Sequence, residues 1–273
     1  MSGLARAVDG WSPAPVETAD QICAAPARAL AGLLDQPPPE DVLPPLWHWL
    51  YFLDRPAQRE LGPDGHPQEG HFLPPIPERR RMFAGARWTC GAPIRFGEVV
   101  RRRSELVAVN ARNGRSGELL FTTVRHAFVR GDGEPAGVEE QDIVYRSGTP
   151  GPTVPPPPLP EVPAPGPWRF DMVTDSVLLF RFSALTYNAH RIHYDAEYAV
   201  ETEAHAGLVV HGPLLAILLA ELPRRAGHAF ASLTFRARAP LHAGRSFVVT
   251  GGPGEELRIV GPGGHAAMTM NLG

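Results

Sequence analysis

"HGPLLAILLAELPRRAG", residues 211–227, is the stretch whose reading decides the fold. From Leu214 to Leu222 every position but Glu221 is apolar, on all sides of a 3.6-residue turn. That pattern predicts a helix surrounded by protein. Pro213 falls in its first turn, where a missing N–H costs little, and Pro223 with Gly227 reads as its end. His211, Gly212, Pro213 and Glu221 interrupt the apolar run, which falls short of the roughly 18 clean residues of a membrane span. Four runs follow: "FASLTFRARA" (230–239), "SFVVTGG" (246–252), "ELRIVG" (256–261) and "HAAMTMNL" (265–272). Each alternates in part, and Gly/Pro turns separate them, as antiparallel strands require. One buried helix followed by four strands predicts a curved sheet wrapped around that helix.

Upstream, Trp168–Val173 reads as a short strand, and Thr174 or Asp175 as the cap of a short helix, "SVLLFRFSAL" (176–185). The first half of the chain repeats this plan. "DQICAAPARALAGLLD" (20–35) reads as a helix interrupted by Pro26, and "PPLWHWLYFLD" (44–54) as an apolar helix in the place of the buried one. Strands are expected at "GARWTCGAPI" (85–94), "EVVRRRSELVAVNAR" (98–112), "GELLFTTVRHAFVR" (117–130) and "VEEQDIVYR" (138–146). Between the halves, "SGTPGPTVPPPPLPEVPAPGP" (147–167) is mostly Pro and Gly and reads as an extended spacer. The expected organisation is an N-terminal unit over 1–146, a Pro-rich linker over 147–167 and a C-terminal unit over 168–273.

Composition narrows the function. At 43% hydrophobic and 20% charged residues the chain can bury a core. A net charge of −3 gives no basic excess for nucleic acid. All 26 basic residues of the Lys+Arg class are arginine, so Schiff-base lysine chemistry and a P-loop lysine are excluded. Cys23 and Cys90 form no CxxC and are read as small buried apolar residues of a reduced, cytoplasmic protein. The N-terminus lacks a continuous apolar segment, so no signal peptide and no membrane association are expected.

The polar counterpart of the helix is the loop before it, "YNAHRIHYD" (187–195). His193 is suited to proton uptake and release near neutrality. His190 either holds the loop or joins the chemistry. Arg191 either pairs with Asp195 or Glu197, or meets a phosphate or carboxylate of a substrate. His211 either caps the helix or lines a pocket. "HRIH" has a metal-like spacing, but there is no Cys pair and no HExxH, so no metal is expected. GxSxG, Rossmann and P-loop patterns are absent.

The segment "FSALTYNAHRIHYD" (182–195), followed by "GLVVHGPLLA" (207–216), resembles the MaoC-like double hot-dog hydratases and dehydratases. It is similar to the branch holding mesaconyl-C4-CoA hydratases and type 2 hydroxyacyl-thioester dehydratases. "RRRMFAGARWTCGAPIRFGEVVRRRSEL" (79–106) is similar to the first half of that branch. The resemblance implies an α+β tandem hot-dog fold, with antiparallel sheets each wrapped around a buried helix. It implies a hydro-lyase that reversibly hydrates an enoyl-CoA or acyl-carrier thioester, with no cofactor beyond the thioester itself. A mesaconyl-C4-CoA-type dicarboxylic acyl group falls within that class. Residue by residue, His193 falls on the family's catalytic histidine and Asn188 on its catalytic aspartate. The resemblance makes Gly212 the N–H donor to the thioester oxygen, where the residues alone leave Val210 and His211 open. Tyr187, His190, Arg191 and His211 are the substrate-binding candidates. An asparagine takes no proton as a carboxylate does, so the acid/base role at Asn188 does not carry over. A hot-dog thioesterase and a non-catalytic acyl-thioester binding protein are the rival readings. The chain either stands alone or forms a homodimer.

Overall fold

The computed structural model describes residues 3–76, 79–114, 117–146 and 166–273. Of the spacer read at 147–167, residues 147–165 lie outside the described residues. The strands are β1 (Val16–Gln21), β2 (Arg80–Cys90), β3 (Val99–Gly114), β4 (Gly117–Arg130), β5 (Pro135–Arg146), β6 (Trp168–Val173), β7 (Ser232–Ala237), β8 (Ser246–Gly251), β9 (Leu257–Val260) and β10 (Ala266–Leu272). The helices are α1 (Gly3–Ala7), α2 (Ala24–Leu33), α3 (Ser176–Leu185) and α4 (Gly212–Arg225).

All ten strands join in one antiparallel sheet, in the order β1-β3-β4-β5-β2-β7-β10-β9-β8-β6. The order is a palindrome of roles. Each half runs edge strand, short helix, seam strand, then three more strands, and the two seam strands β2 and β7 pair from Gly85↔Arg236 to Thr89↔Ser232. The repeat of the sequence is therefore a repeat of topology, and the sheet is continuous across it.

α4 is the core of the second half. Leu214 to Pro223 are all buried, and the helix packs on β6, β8, β9 and β10. It runs past Pro223 to Arg225, because a proline in the last turn removes one backbone bond without blocking the two residues that follow. Gly227 then takes φ +65, the left-handed conformation that ends a helix. α2 survives Pro26 because that residue sits in the first turn, whose N–H groups have no helical partner. α3 is capped by Asp175, whose side chain accepts the Leu178 N–H at 2.8 Å.

The first half departs from its expected plan at one segment. The apolar helix read at 44–54 is a single three-ten turn, Trp47–Leu50. Pro44 and Pro45 offer no N–H, and Leu46 and Phe52 take φ +67 and +55, so the chain turns at both ends of the segment. Trp47, His48 and Leu50 are buried and packed as a turn. A long segment with a single three-ten turn, Gln58–Glu60, then runs from Asp54 to Ile76, with prolines at 56, 63, 67, 74 and 75. Beneath it lies a cavity of about 1060 Å³ on the face of β1, β3, β4 and β5, lined among others by Thr18, Arg102, His126 and Tyr145. Those strands are the topological counterparts of β6, β8, β9 and β10. Where the second half seats a 14-residue helix, the first half keeps open space.

The reading of both cysteines as buried is corrected. Cys23 is exposed just before α2, and Cys90 is half-buried at the end of β2. No helix among the described residues is long and apolar enough to cross a membrane.

Candidate active site

The motif loop leaves α3 through Thr186 and turns at Tyr187, which takes φ +52 and stays largely exposed. The Asn188 N–H closes on the Ser183 carbonyl at 2.9 Å. The Asn188 Oδ1 accepts the His190 N–H at 3.0 Å, an Asx turn of the kind that side-chain amides favour in loops. That leaves the Asn188 NH₂ as its donor toward any ligand. A three-ten turn, Arg191–His193, then carries His193 inward to 7% exposure.

His193 Nδ1 lies 2.7 Å from the Val209 carbonyl oxygen. A carbonyl only accepts, so Nδ1 carries the hydrogen and Nε2 keeps its lone pair. Burial lowers the imidazole to about 4, against a smaller upward pull from the Val209 hydrogen bond. His193 is therefore neutral and basic at Nε2 around neutral pH. His211 stacks on it, ring centroids 3.6 Å apart and planes 19° from parallel. His211 is fully buried and reaches Ser183 Oγ with Nε2 at 2.8 Å. Burial holds it well below the usual histidine value. It precedes α4, but its side chain makes no capping bond; the ring braces His193 instead.

Gly212 opens α4, and its N–H has no partner within the helix. A Cβ at this position would lie 3.3 Å from Phe83 Cδ1, so the glycine keeps room between the helix end and β2 of the first half. Arg191 has partners on every nitrogen of its guanidinium. Nε and Nη2 donate to Asp195 Oδ2 at 3.0 and 2.7 Å, and Nη1 donates to the Pro63 carbonyl. Its guanidinium carbon also lies 4.1 Å from the Tyr198 ring centre. The structure thus places Arg191 as a clamp between the motif loop and the first half.

That clamp reveals residues the sequence does not single out. The Arg191 N–H donates to the Asp64 carbonyl at 2.9 Å. A Cβ on Gly65, at φ +88, would sit 1.8 Å from the Ala189 carbonyl oxygen, so the turn Pro63–His66 fits against the motif loop only with glycine there. His66 then meets His190, ring centroids 4.0 Å apart, and His190 meets His193 at 5.5 Å. His66 Nδ1 is 3.0 Å from Asp64 Oδ2. Burial pushes the Asp64 carboxyl up, but hydrogen bonds and charge from His66 pull it further down, so it lies below its ordinary value. His190 is driven far down by burial and by its histidine neighbours, and it stays neutral. "PDGHP" reads in sequence as a turn and nothing more; only the docked partner gives His66 a setting. Asp64, His66 and His190 are also the one group among the described residues whose donor atoms, within 4.8 Å of one another, suit a metal ion.

The large cavity borders this cluster. Asp64 and His66 are on its wall, as are Tyr198 and Glu203, while Arg102 and His126 line it under the first-half sheet. We expect Gly65→Ala to lower the melting temperature by several degrees and to cut turnover, because the new methyl must push the turn off the Ala189 carbonyl. Thermal unfolding monitored beside the assay described below checks this.

Residues 46–243 match the family model for hydroxyacyl-thioester dehydratase type 2. The chain is 45% identical to mesaconyl-C(4)-CoA hydratase of Chloroflexus aurantiacus over 279 aligned residues, covering 96% of this chain and 97% of that one. A 45-residue segment is 47% identical to the mitochondrial hydroxyacyl-thioester dehydratase type 2 of Schizosaccharomyces pombe, 16% of this chain and 15% of that one. Among solved structures, HtdX of Mycobacterium tuberculosis superposes with a TM-score of 0.67 at 16% identity, over 94% of this chain and 98% of that one. A MaoC-like dehydratase does so with a TM-score of 0.67 at 12% identity, over 98% of each chain. These two likenesses bear out the tandem hot-dog fold. Together with the match over residues 46–243, the near full-length identity shows that the chain belongs to the hydroxyacyl-thioester dehydratase type 2 family.

Proposed function

We propose that the protein is a hydro-lyase that adds water reversibly across the Cα=Cβ bond of an enoyl thioester, and in reverse dehydrates a 3-hydroxyacyl thioester. The observation that carries this is His193: buried, neutral, with Nδ1 anchored on Val209 and Nε2 free, braced by the residue that precedes Gly212. In the hydration direction Nε2 takes a proton from water as its oxygen bonds to Cβ. The displaced π electrons reach the thioester oxygen, where the Gly212 N–H meets the growing charge. The Asn188 NH₂ holds the water or the product hydroxyl, and His193 Nε2 then hands the proton it took from water to Cα, on the same face of the double bond. Every step uses groups of this chain, with no cofactor and no metal. The acyl group is carried by CoA or an acyl carrier. The near full-length relative named for mesaconyl-C(4)-CoA makes a mesaconyl-C4-CoA-type dicarboxylic acyl group the first to try. We place the enzyme in the cytoplasm, active alone or as a homodimer, without nucleic acid or membrane.

A panel of enoyl thioesters of varied length, with and without a terminal carboxylate, tests this at the enoyl absorbance. Absorbance is expected to fall with no free thiol released. Thiol release instead identifies a thioesterase, and binding without an absorbance change identifies a carrier. The pH profile follows from the histidine. Because His193 titrates near 4, its base form persists well below the usual histidine value of about 6.5. The acid limb of kcat/KM is therefore expected near pH 4, and a limb at pH 6–7 would contradict the buried neutral base.

A further inference from the structure

We propose that the open space in the first half of the chain is a binding site for a carboxylate carried on an apolar body, with Arg102 as its anchor. The inference goes beyond the hydratase reading and does not depend on it. Among the described residues, the wall of this cavity holds neither His193 nor Gly212.

The starting point is the arginine run of β3, Arg101 to Arg103. A strand points alternate side chains to opposite faces. Arg101 and Arg103 are exposed, and Arg103 meets Glu105 at 3.6 Å. Arg102 is half-buried and stands on the wall of the cavity of about 1060 Å³. In the second half the counterpart strand β8 buries Phe247 and Val249, and α4 packs on it. The first half puts a cation where the second builds a packed core.

That cation lacks a bonded partner. Arg102 Nε is buried and has no hydrogen-bond partner among the described residues. The guanidinium carbon lies 5.1 Å from the Phe52 ring centre, a contact with a ring face that uses none of the N–H groups. Asp54, Glu139 and Asp20 act on Arg102 by charge alone. Glu139 is taken by His48 and Trp49, and Asp20 by the Phe52 N–H. Asp54 is exposed to water. A cation held away from water without a hydrogen-bonded partner is costly to keep. A ligand anion on the fork removes that cost.

The class of anion follows from the charge available. Ser104 Oγ and His126 Nδ1 lie 2.7 Å apart beside Arg102 on the same wall. Burial lowers His126 to about 4, so it is neutral around neutral pH. At the rim, Arg79 is held by the Pro74 carbonyl and Arg80 by Glu203. The floor therefore offers one positive charge. One charge balances a carboxylate, and leaves a phosphate dianion half unmatched near the buried Glu139. The guanidinium fork also takes both oxygens of a carboxylate at once. Val16, Val124 and Ile143 supply apolar wall for the rest of the ligand. The volume is at the upper end of small-molecule sites, which span roughly 300–1,000 Å³. Two sources carry this chemistry: a free amphipathic acid, or the far end of a long acyl thioester.

The test is calorimetric titration of the full chain with octanoate. Octanoate is expected to bind at one site, and the uncharged 1-octanol at least ~10-fold more weakly. Octyl phosphate should also bind more weakly than octanoate. Arg102→Gln is expected to weaken octanoate by ~30-fold or more. Arg102→Lys, which keeps the charge but not the fork, should fall between that variant and the parent. Arg101→Gln, at the exposed neighbour, should stay within about twofold of the parent. Arg102→Gln should melt no lower than the parent, since it removes an unpaired charge. The site is overturned by octanoate that does not bind, by 1-octanol or octyl phosphate binding as tightly, or by Arg102→Gln binding octanoate within about threefold of the parent. An Arg102→Gln chain that fails to fold overturns it too, because that makes Arg102 a structural residue. Turnover of medium-chain enoyl-CoA esters ending in a carboxylate or a methyl group separates the two sources. If Arg102→Gln raises KM for the carboxylate-ended ester alone, the anchor holds an acyl end. If octanoate binding is lost and both esters turn over as before, it holds a free acid. Either result keeps the site. A parent that binds octanoate but hydrates no thioester defeats the hydratase reading and leaves this inference standing.

Discussion

His193→Ala is expected to lower kcat for enoyl-thioester hydration by about 1000-fold or more while leaving substrate affinity nearly unchanged. Removing a positioned general base typically costs ~100- to 10,000-fold. The upper part of that range fits a base whose place no neighbour can take. His211, stacked on it, points Nε2 at Ser183 and is fully buried. His190 is neutral and lies edge-on at 5.5 Å. The substitution also leaves a small hole against the His211 ring, so the melting temperature should be recorded with the rate. A folded variant keeping more than about a tenth of the parent's kcat would remove His193 from the mechanism, given the usual size of such effects.

The largest effect on stability is expected at Glu139, in the half without the long helix. Its carboxylate is 1% exposed, accepts from His48 Nε2 at 2.9 Å and from Trp49 Nε1 at 2.8 Å. Burial pushes this carboxyl up, yet the charge and hydrogen bond of His48 outweigh it, and the group lies below its ordinary value. His48 in turn stacks on Trp88, at 4.6 Å. These bonds do in the first half what the turn Trp47–Leu50 cannot do as a helix: they fix it to the sheet. Glu139→Ala strands His48 and Trp49 Nε1 without partners. Breaking a buried pair from one side costs about 3–5 kcal/mol, or on the order of 10 °C in melting temperature for a chain of this size. Glu139→Gln, which still accepts one bond, should lose less. Urea unfolding of both variants checks the order. The sign with pH follows from the lowered carboxyl. Its stabilising effect is present above the ordinary glutamate value of about 4.3 and is lost as pH falls below it.

How much of this was legible in sequence depends on whether a signal is local. α4 reads directly, because ten buried positions in a row leave only one way to place them. Every strand but β1 reads from alternation and turns; Asp20 and Gln21, the end of β1, read instead as the start of the helix that begins at Ala24. His193, Asn188 and Gly212 read through the motif they belong to. The segment at 44–54 misleads because its composition is that of a helix while its ends are not. Two prolines before it and left-handed residues at Leu46 and Phe52 fold it into a turn. The exposure of Cys23 follows from its place in the link between β1 and α2, which composition cannot show. Asp64 and His66 carry no periodic or motif signal at all. They become visible only when Gly65 meets Ala189 across more than a hundred residues of chain.

The vacant helix position in the first half has a thermodynamic consequence. A sheet face without a packed helix forgoes the apolar burial that α4 provides, so β1, β3, β4 and β5 should form the half that opens first in native-state hydrogen exchange. An acyl chain resting in that space would bind the closed form only, and its binding free energy would add to folding. Substrate would then act as part of the core of one half and leave the other unchanged. Protection gained on ligand binding should therefore be lopsided along a sheet whose strand order is symmetric.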